Sequence, residues 1–184
     1  PRPLCPRPLY PRPLPSAAPR PLPPPPPPPA SLQLDLRASD YSGSGATWKA
    51  AKGPNARLYG NPKFTKGSGG SLFFDKHTQW AGAPINTDGD DMPAASFSIW
   101  ALTPKKVQSG LGWIMSQYPD HGWSRAITIN DHRLSKTAGV SATVGGGWAN
   151  TLPKPPVGKW FHVVATWDHG TQTCVYLNGK KGAC

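Results

Sequence analysis

Three stretches of the chain alternate between inward-type and outward-type residues with a period of two. Ser96-Phe97-Ser98-Ile99-Trp100-Ala101-Leu102 is one, and Arg125-Ala126-Ile127-Thr128-Ile129-Asn130 is another. In the third, Lys159 to Asp168, Phe161, Val163, Ala165 and Trp167 fall on one face, and Trp160, His162, Val164 and Thr166 on the other. Successive side chains of a strand point to opposite faces, so this pattern predicts strands. Turn-forming groups separate the runs: Gly53-Pro54-Asn55, Gly67-Ser68-Gly69-Gly70, Gly145-Gly146-Gly147 and Asn178-Gly179. The last stands between Val175-Tyr176-Leu177 and a basic return strand, which predicts a hairpin. No stretch of ten or more residues carries a helical apolar stripe. The expected fold is therefore all-β, an antiparallel sandwich or barrel.

The first residues break this pattern. Most of the 25 prolines crowd into residues 1–29, where a five-residue unit recurs as Pro1-Arg2-Pro3-Leu4-Cys5, Pro6-Arg7-Pro8-Leu9-Tyr10 and Pro11-Arg12-Pro13-Leu14-Pro15. Each proline ring fixes φ and removes a backbone donor, so neither helix nor sheet is available there. Polyproline II is, and 29 residues at about 3.1 Å each reach about 90 Å if straight. A five-residue period on a three-residue turn spreads Arg2, Arg7 and Arg12 around the rod. That favours a solvated, self-repelling stalk over a ligand for an SH3- or WW-like pocket, the rival reading of the repeated P-x-x-P. The division expected is a stalk over residues 1–33 and a globular domain over 34–184, long enough for a core of its own.

Charge adds little direction by itself. The net charge is +11, from 20 Lys and Arg against nine acidic residues, all of them Asp. Such a balance suits nucleic acid, anionic polysaccharide or plain solubility. Basic residues adjoin only in pairs such as Lys105-Lys106 and Lys180-Lys181, and no zinc-finger spacing occurs, so nucleic acid is the weaker reading. No apolar run approaches the roughly 18 residues that read as a membrane span. The chain opens on Pro1 with no leader sequence, and the expectation is a fragment or a processed form.

The order of the strands resembles the concanavalin A-like lectin/glucanase superfamily, in its laminin-G-like jelly-roll branch. Gly70-Ser71-Leu72-Phe73-Phe74-Asp75 is similar to the early G-x-L-x-F-D strand of that family, and Phe97-Ser98-Ile99-Trp100-Ala101 to its F-[ST]-[IV]-x-[AV] strand. Lys159-Trp160-Phe161-His162-Val163-Val164-Ala165-Thr166-Trp167-Asp168, followed by Val175-Tyr176-Leu177-Asn178-Gly179-Lys180, resembles the W-x-H-V-x-x-T-[WY]-D…Y-[LV]-[DN]-G-K signature. That last block is the most specific, since two strands and their turn match in order. The resemblance implies a jelly-roll sandwich from about Leu34 onward. Family members continue past this hairpin to a closing strand, so a sandwich lacking its last strands is expected, with exposed edges that a partner chain or a second copy closes.

Catalytic patterns are weighed against this. The glucanases of the superfamily use an E-x-D-x-E strand, whose two carboxyl groups stand about 5–5.5 Å apart. This chain has no Glu, and no G-x-S-x-G, P-loop or H-E-x-x-H motif. The expectation is a protein that is not an enzyme. The five histidines are scattered, and His162 reads as a packed or edge residue rather than a ligand.

Two candidate sites remain. Asn86-Thr87-Asp88-Gly89-Asp90-Asp91 sets the oxygen ligands of Asn86, Asp88, Asp90 and Asp91 close together, as a calcium site does. It fails the EF-hand pattern, with Asp91 where Gly is needed and Phe97 where Glu is needed. A polar inter-strand turn is the plainer reading. For sugar binding, aromatic faces stack on C–H patches while polar side chains take hydroxyls. Trp113, Tyr118, Trp123 and Trp148 lie beside turn-like glycines, with Arg125 and Asn150 near in sequence, and are the candidate platform; burial in the core explains them equally well. Trp100, Trp160 and Trp167 lie in clear strands and read as core or sheet face.

Of the three cysteines, Cys174 and Cys184 flank the last hairpin. A two-residue turn at Asn178-Gly179 sets Cys174 opposite Ala183, leaving Cys184 on the other face; a three-residue loop sets Cys174 opposite Cys184. The expected arrangement is the three-residue loop with a Cys174–Cys184 disulfide, leaving Cys5 for a bond between chains. Together these readings predict an extracellular, cell-surface or cell-wall module that binds a glycan or glycoprotein. A structural assembly subunit is the alternative, and a glycan-active enzyme the third.

Overall fold

In the computed structural model of the protein, the described residues are 31–86, 92, 94–103, 112–116, 125–129, 140–144, 147–151, 155–168, 172–182 and 184. Gln33–Cys184 forms one compact unit. The fold is all-β and antiparallel, as the period-two pattern requires. Short 3-10 turns occur at Ala38–Asp40 and Gly67–Gly69, and no α-helix occurs among the described residues. None of their helical turns is long and apolar enough to cross a membrane. The proline-rich segment lies outside the described residues.

The strands are β1 (Thr47–Trp48), β2 (Ala56–Tyr59), β3 (Lys63–Thr65), β4 (Ser71–Phe73), β5 (Trp80–Gly82), β6 (Ala94–Leu102), β7 (Gly112–Ser116), β8 (Arg125–Ile129), β9 (Val140–Val144), β10 (Gly147–Thr151), β11 (Trp160–Asp168), β12 (Gln172–Leu177) and β13 (Lys180–Lys181). Two four-stranded sheets dominate, in the orders β13-β12-β11-β6 and β10-β9-β8-β7. Their facing sides share one core. Ile127, Ile129, Val140 and Ala142 come from β8 and β9, and Phe161, Val163, Ala165, Trp167 and Val175 from β11 and β12. Register explains the set. Ile127 pairs with Ala142 and Ile129 with Val140, while Ala165 pairs with Val175. Cross-strand partners point to the same face, so each apolar row meets its counterpart in the opposing sheet. Phe97, Ile99 and Ala101 of β6 pack at the margin of this core.

The N-terminal part builds two smaller sheets, β1-β2-β5 and the hairpin β3-β4. Tyr41 is buried, donates its hydroxyl to the Gly45 carbonyl at 2.7 Å, and meets Phe64 edge-on at 5.3 Å. Gln79 ties two turns together. Its Oε1 accepts from the backbone N–H groups of Asp75 (2.6 Å) and Lys76 (3.2 Å), and its Nε2 donates to the carbonyls of Gly60 (3.1 Å) and Asn61 (3.2 Å). Gly60 has a φ of +68°, and a Cβ there would stand 2.4 Å from the Thr78 carbonyl oxygen, so only glycine fits this close approach.

An ion pair closes the β3-β4 hairpin. Lys63 Nζ stands 2.8 Å from Asp75 Oδ2. The hydrogen bond from Lys63 holds the Asp75 carboxyl below the usual aspartate range, with burial opposing it. A carboxyl depressed in the folded state stabilises at neutral pH, and that contribution is lost as pH falls through its folded midpoint. A carboxyl-detected NMR titration is therefore expected to place Asp75 below the other aspartates, and Lys63→Met to raise it. An Asp75 midpoint that Lys63→Met leaves unmoved would contradict this account.

Candidate functional site

The outer face of the β6-β11 pair carries the most exposed aromatic surface of the two large sheets. Alternation along β11 buries Phe161, Val163, Ala165 and Trp167 and sends Trp160 and His162 outward. On β6, Trp100 stands directly opposite His162, and Leu102 opposite Trp160. Trp100 is 64% exposed and Trp160 47%. The two indoles are diagonal neighbours, a spacing of about 7–8 Å across a sheet. Trp100 and the His162 ring stack with centroids 4.9 Å apart and planes 23° from parallel. The Ser98 hydroxyl lies 2.8 Å from His162 Nε2.

The hairpin fixes the position of His162. Asn178 N–H donates to the His162 carbonyl at 2.9 Å, and Asn178 Oδ1 accepts from the His162 backbone N–H at 2.9 Å. Asn178 and Gly179 have φ of +50° and +75°, the conformation of a two-residue type I′ turn, which Asn-Gly favours. Chemically, the surface offers two indole faces for C–H stacking, an imidazole and a hydroxyl. Tyr176 and Lys181, paired across β12 and β13, lie on the same face of this sheet. No carboxylate stands among these groups.

The sequence-derived candidates are placed differently. Trp113, Trp148 and Asn150 lie on β7 and β10, but their side chains are outside the described residues, as are Tyr118 and Trp123 entirely. Arg125 is described, and it is not a surface residue: it is 1% exposed, and its Nη2 donates to the Met92 carbonyl. This corrects its assignment to a solvent-facing platform, because its strand, β8, is buried on both faces. Of the calcium loop only Asn86 is described; Asp88, Asp90 and Asp91 lie outside. Among the described residues no group of three or more His, Cys, Asp or Glu is placed to hold a metal ion. Trp100 and Trp160, read from sequence as core or sheet face, are the exposed pair, and Trp167 is the buried one.

Cys174 and Cys184 are joined by a disulfide with a Cα–Cα distance of 4.2 Å. The three-residue loop expected with it does not form. Leu177 pairs with Lys180 and Tyr176 with Lys181, so the turn has two residues. The paired strand ends at Lys181, and strict alternation no longer governs Cys184, which turns back to reach Cys174. Comparisons with protein-family models, curated proteins and solved structures find no match to this chain.

Proposed function

We propose that this chain is an extracellular carbohydrate- or glycoprotein-binding module, displayed from a cell surface or cell wall on a stiff proline-rich stalk. The laminin-G-like, jelly-roll kinship supports that reading through the W-x-H-V…Y-L-N-G-K block. One observation carries it: Trp100 and Trp160 are held open to solvent on a rigid two-strand surface, around a histidine fixed by Ser98 and Asn178. A large apolar ring left exposed on a strand forgoes about 1.5–3 kcal/mol of burial, which marks a contact surface when rings cluster. Sugars present C–H faces and hydroxyls together, and this surface answers both. Recognition without catalysis follows from the absence of any paired carboxylates beside it.

A glycan array with the full chain tests this, followed by titration calorimetry on the best hit. Trp100→Ala and Trp160→Ala are each expected to weaken binding about 10- to 100-fold, equivalent to about 1.4–2.8 kcal/mol, with circular dichroism unchanged. Silence across the array, together with concentration-dependent oligomers that Trp100→Ala dissolves, would replace this reading with that of an assembly subunit.

A further inference from the structure

A second aromatic surface lies on the small β1-β2-β5 sheet, on elements that none of the preceding site uses. Alternation along β2 buries Ala56 and Leu58 and leaves Arg57 and Tyr59 on the opposite face. Tyr59 pairs with Trp80, and Arg57 with both Thr47 and Gly82. The Tyr59 and Trp80 rings are stacked, with centroids 3.8 Å apart and planes 8° from parallel. The Arg57 guanidinium carbon lies 5.1 Å from the Tyr59 centroid. Gly82 makes room for the indole, since a Cβ there would come 2.7 Å from Trp80 Cζ3. Tyr59 covers one face of the indole, yet Trp80 remains 47% exposed, so its other face and rim meet solvent. Beside Arg57 is an open depression of about 380 Å³, lined by Ala46, Thr47, Asn55, Ala56 and Arg57. The paired positions of this face are Thr47, Arg57, Gly82, Tyr59 and Trp80, and none is acidic.

We propose that this face is a saccharide subsite selective for an acidic sugar, a uronate unit of a polysaccharide. Its C–H face lies on Trp80, and its carboxylate is held by Arg57. The inference rests on the glycan-binding reading above and adds to it the charge of the ligand. Three observations favour a uronate. A guanidinium presents paired donors that match a planar carboxylate, and stacking on Tyr59 pre-orients the fork. The net charge of +11 draws polyanions toward the chain. Nucleic acid gains its affinity from many neutralised phosphates, whereas this face sets one guanidinium beside its rings.

Calorimetry on the full chain at low salt tests the proposal with an oligogalacturonate, its methyl-esterified counterpart and an oligodeoxythymidylate. The acid form is expected to bind about 10-fold more tightly than the ester, the ratio set by one charge-assisted contact of about 1.4 kcal/mol. Arg57→Gln is expected to erase that ratio and leave ester binding unchanged. Trp80→Ala is expected to weaken both, with Trp80→Phe restoring part of the affinity if the fold is intact. Trp100→Ala is expected to leave the acid-to-ester ratio as it is. Preference for the acid that survives Arg57→Gln overturns the proposal, as does Arg57-dependent binding tighter for the oligonucleotide. If neutral glycans bind through Trp100 and the uronate does not bind at all, this inference fails alone; if no saccharide binds, both readings fail.

Discussion

Phe161→Ala is expected to lower the unfolding free energy by about 3–5 kcal/mol, the cost of emptying a large aromatic site in a close-packed core. Phe161 has no solvent exposure and sits among Ile127, Val163 and the other residues shared by the two large sheets. A domain of this size has about 5–15 kcal/mol in all, so the variant loses a large fraction of its stability. Trp100→Ala is the matched control. Its position is next to the strand partner of Phe161, Ala101, but on the solvent side of the pleat, where truncation shifts stability by about 0.5 kcal/mol. Urea denaturation followed by circular dichroism compares the two. Equal losses from Phe161→Ala and Trp100→Ala would refute the assignment of inner and outer faces.

The second large effect is expected at Gln79, although its side chain is neither apolar nor charged. Gln79→Leu removes four hydrogen bonds at once and leaves two backbone N–H groups and two carbonyls without their partner. Each orphaned buried group costs about 1–3 kcal/mol, less where water reaches it, so a total of about 2–4 kcal/mol is expected. Gln79→Glu keeps the acceptor for Asp75 and Lys76 but sets a carboxylate against the carbonyls of Gly60 and Asn61. It is expected to destabilise as well. Hydrogen exchange at the Asp75 and Lys76 amides is the direct check; unchanged protection in Gln79→Leu would show that the amide side chain does not hold these turns.

The long strands were legible because each pairs a clear alternation with nearby turn residues. Phe161, Val163, Ala165 and Trp167 fell to one side of β11 in sequence and are buried there in the structure. Which aromatics face water was harder, because both sides of β6 and β11 carry large apolar residues. Parity separates Trp160 from Phe161 but does not say which side another sheet covers. Proximity to glycine pointed instead to residues such as Arg125, whose strand proves to be buried on both faces. The Tyr59–Trp80 stack was hidden for another reason: its strands span only three or four residues, too short for alternation to register, and 21 positions separate the two rings. The hairpin shows two signals in conflict. Asn178-Gly179 called for a two-residue turn, and the cysteine spacing appeared to need three. Local turn chemistry prevailed, and the last residues of the chain adjusted to meet it.

The bond between Cys174 and Cys184 encloses the exposed turn in a covalent ring. A protease that cuts the backbone at Asn178, Gly179 or either lysine beyond them opens the ring without detaching a fragment. The severed ends stay tethered through sulfur, and β12 keeps its place beside β11. In the protease-bearing surroundings that surface display implies, nicking at this tip and loss of the chain's end become separate events. The second requires a reductant as well as an enzyme.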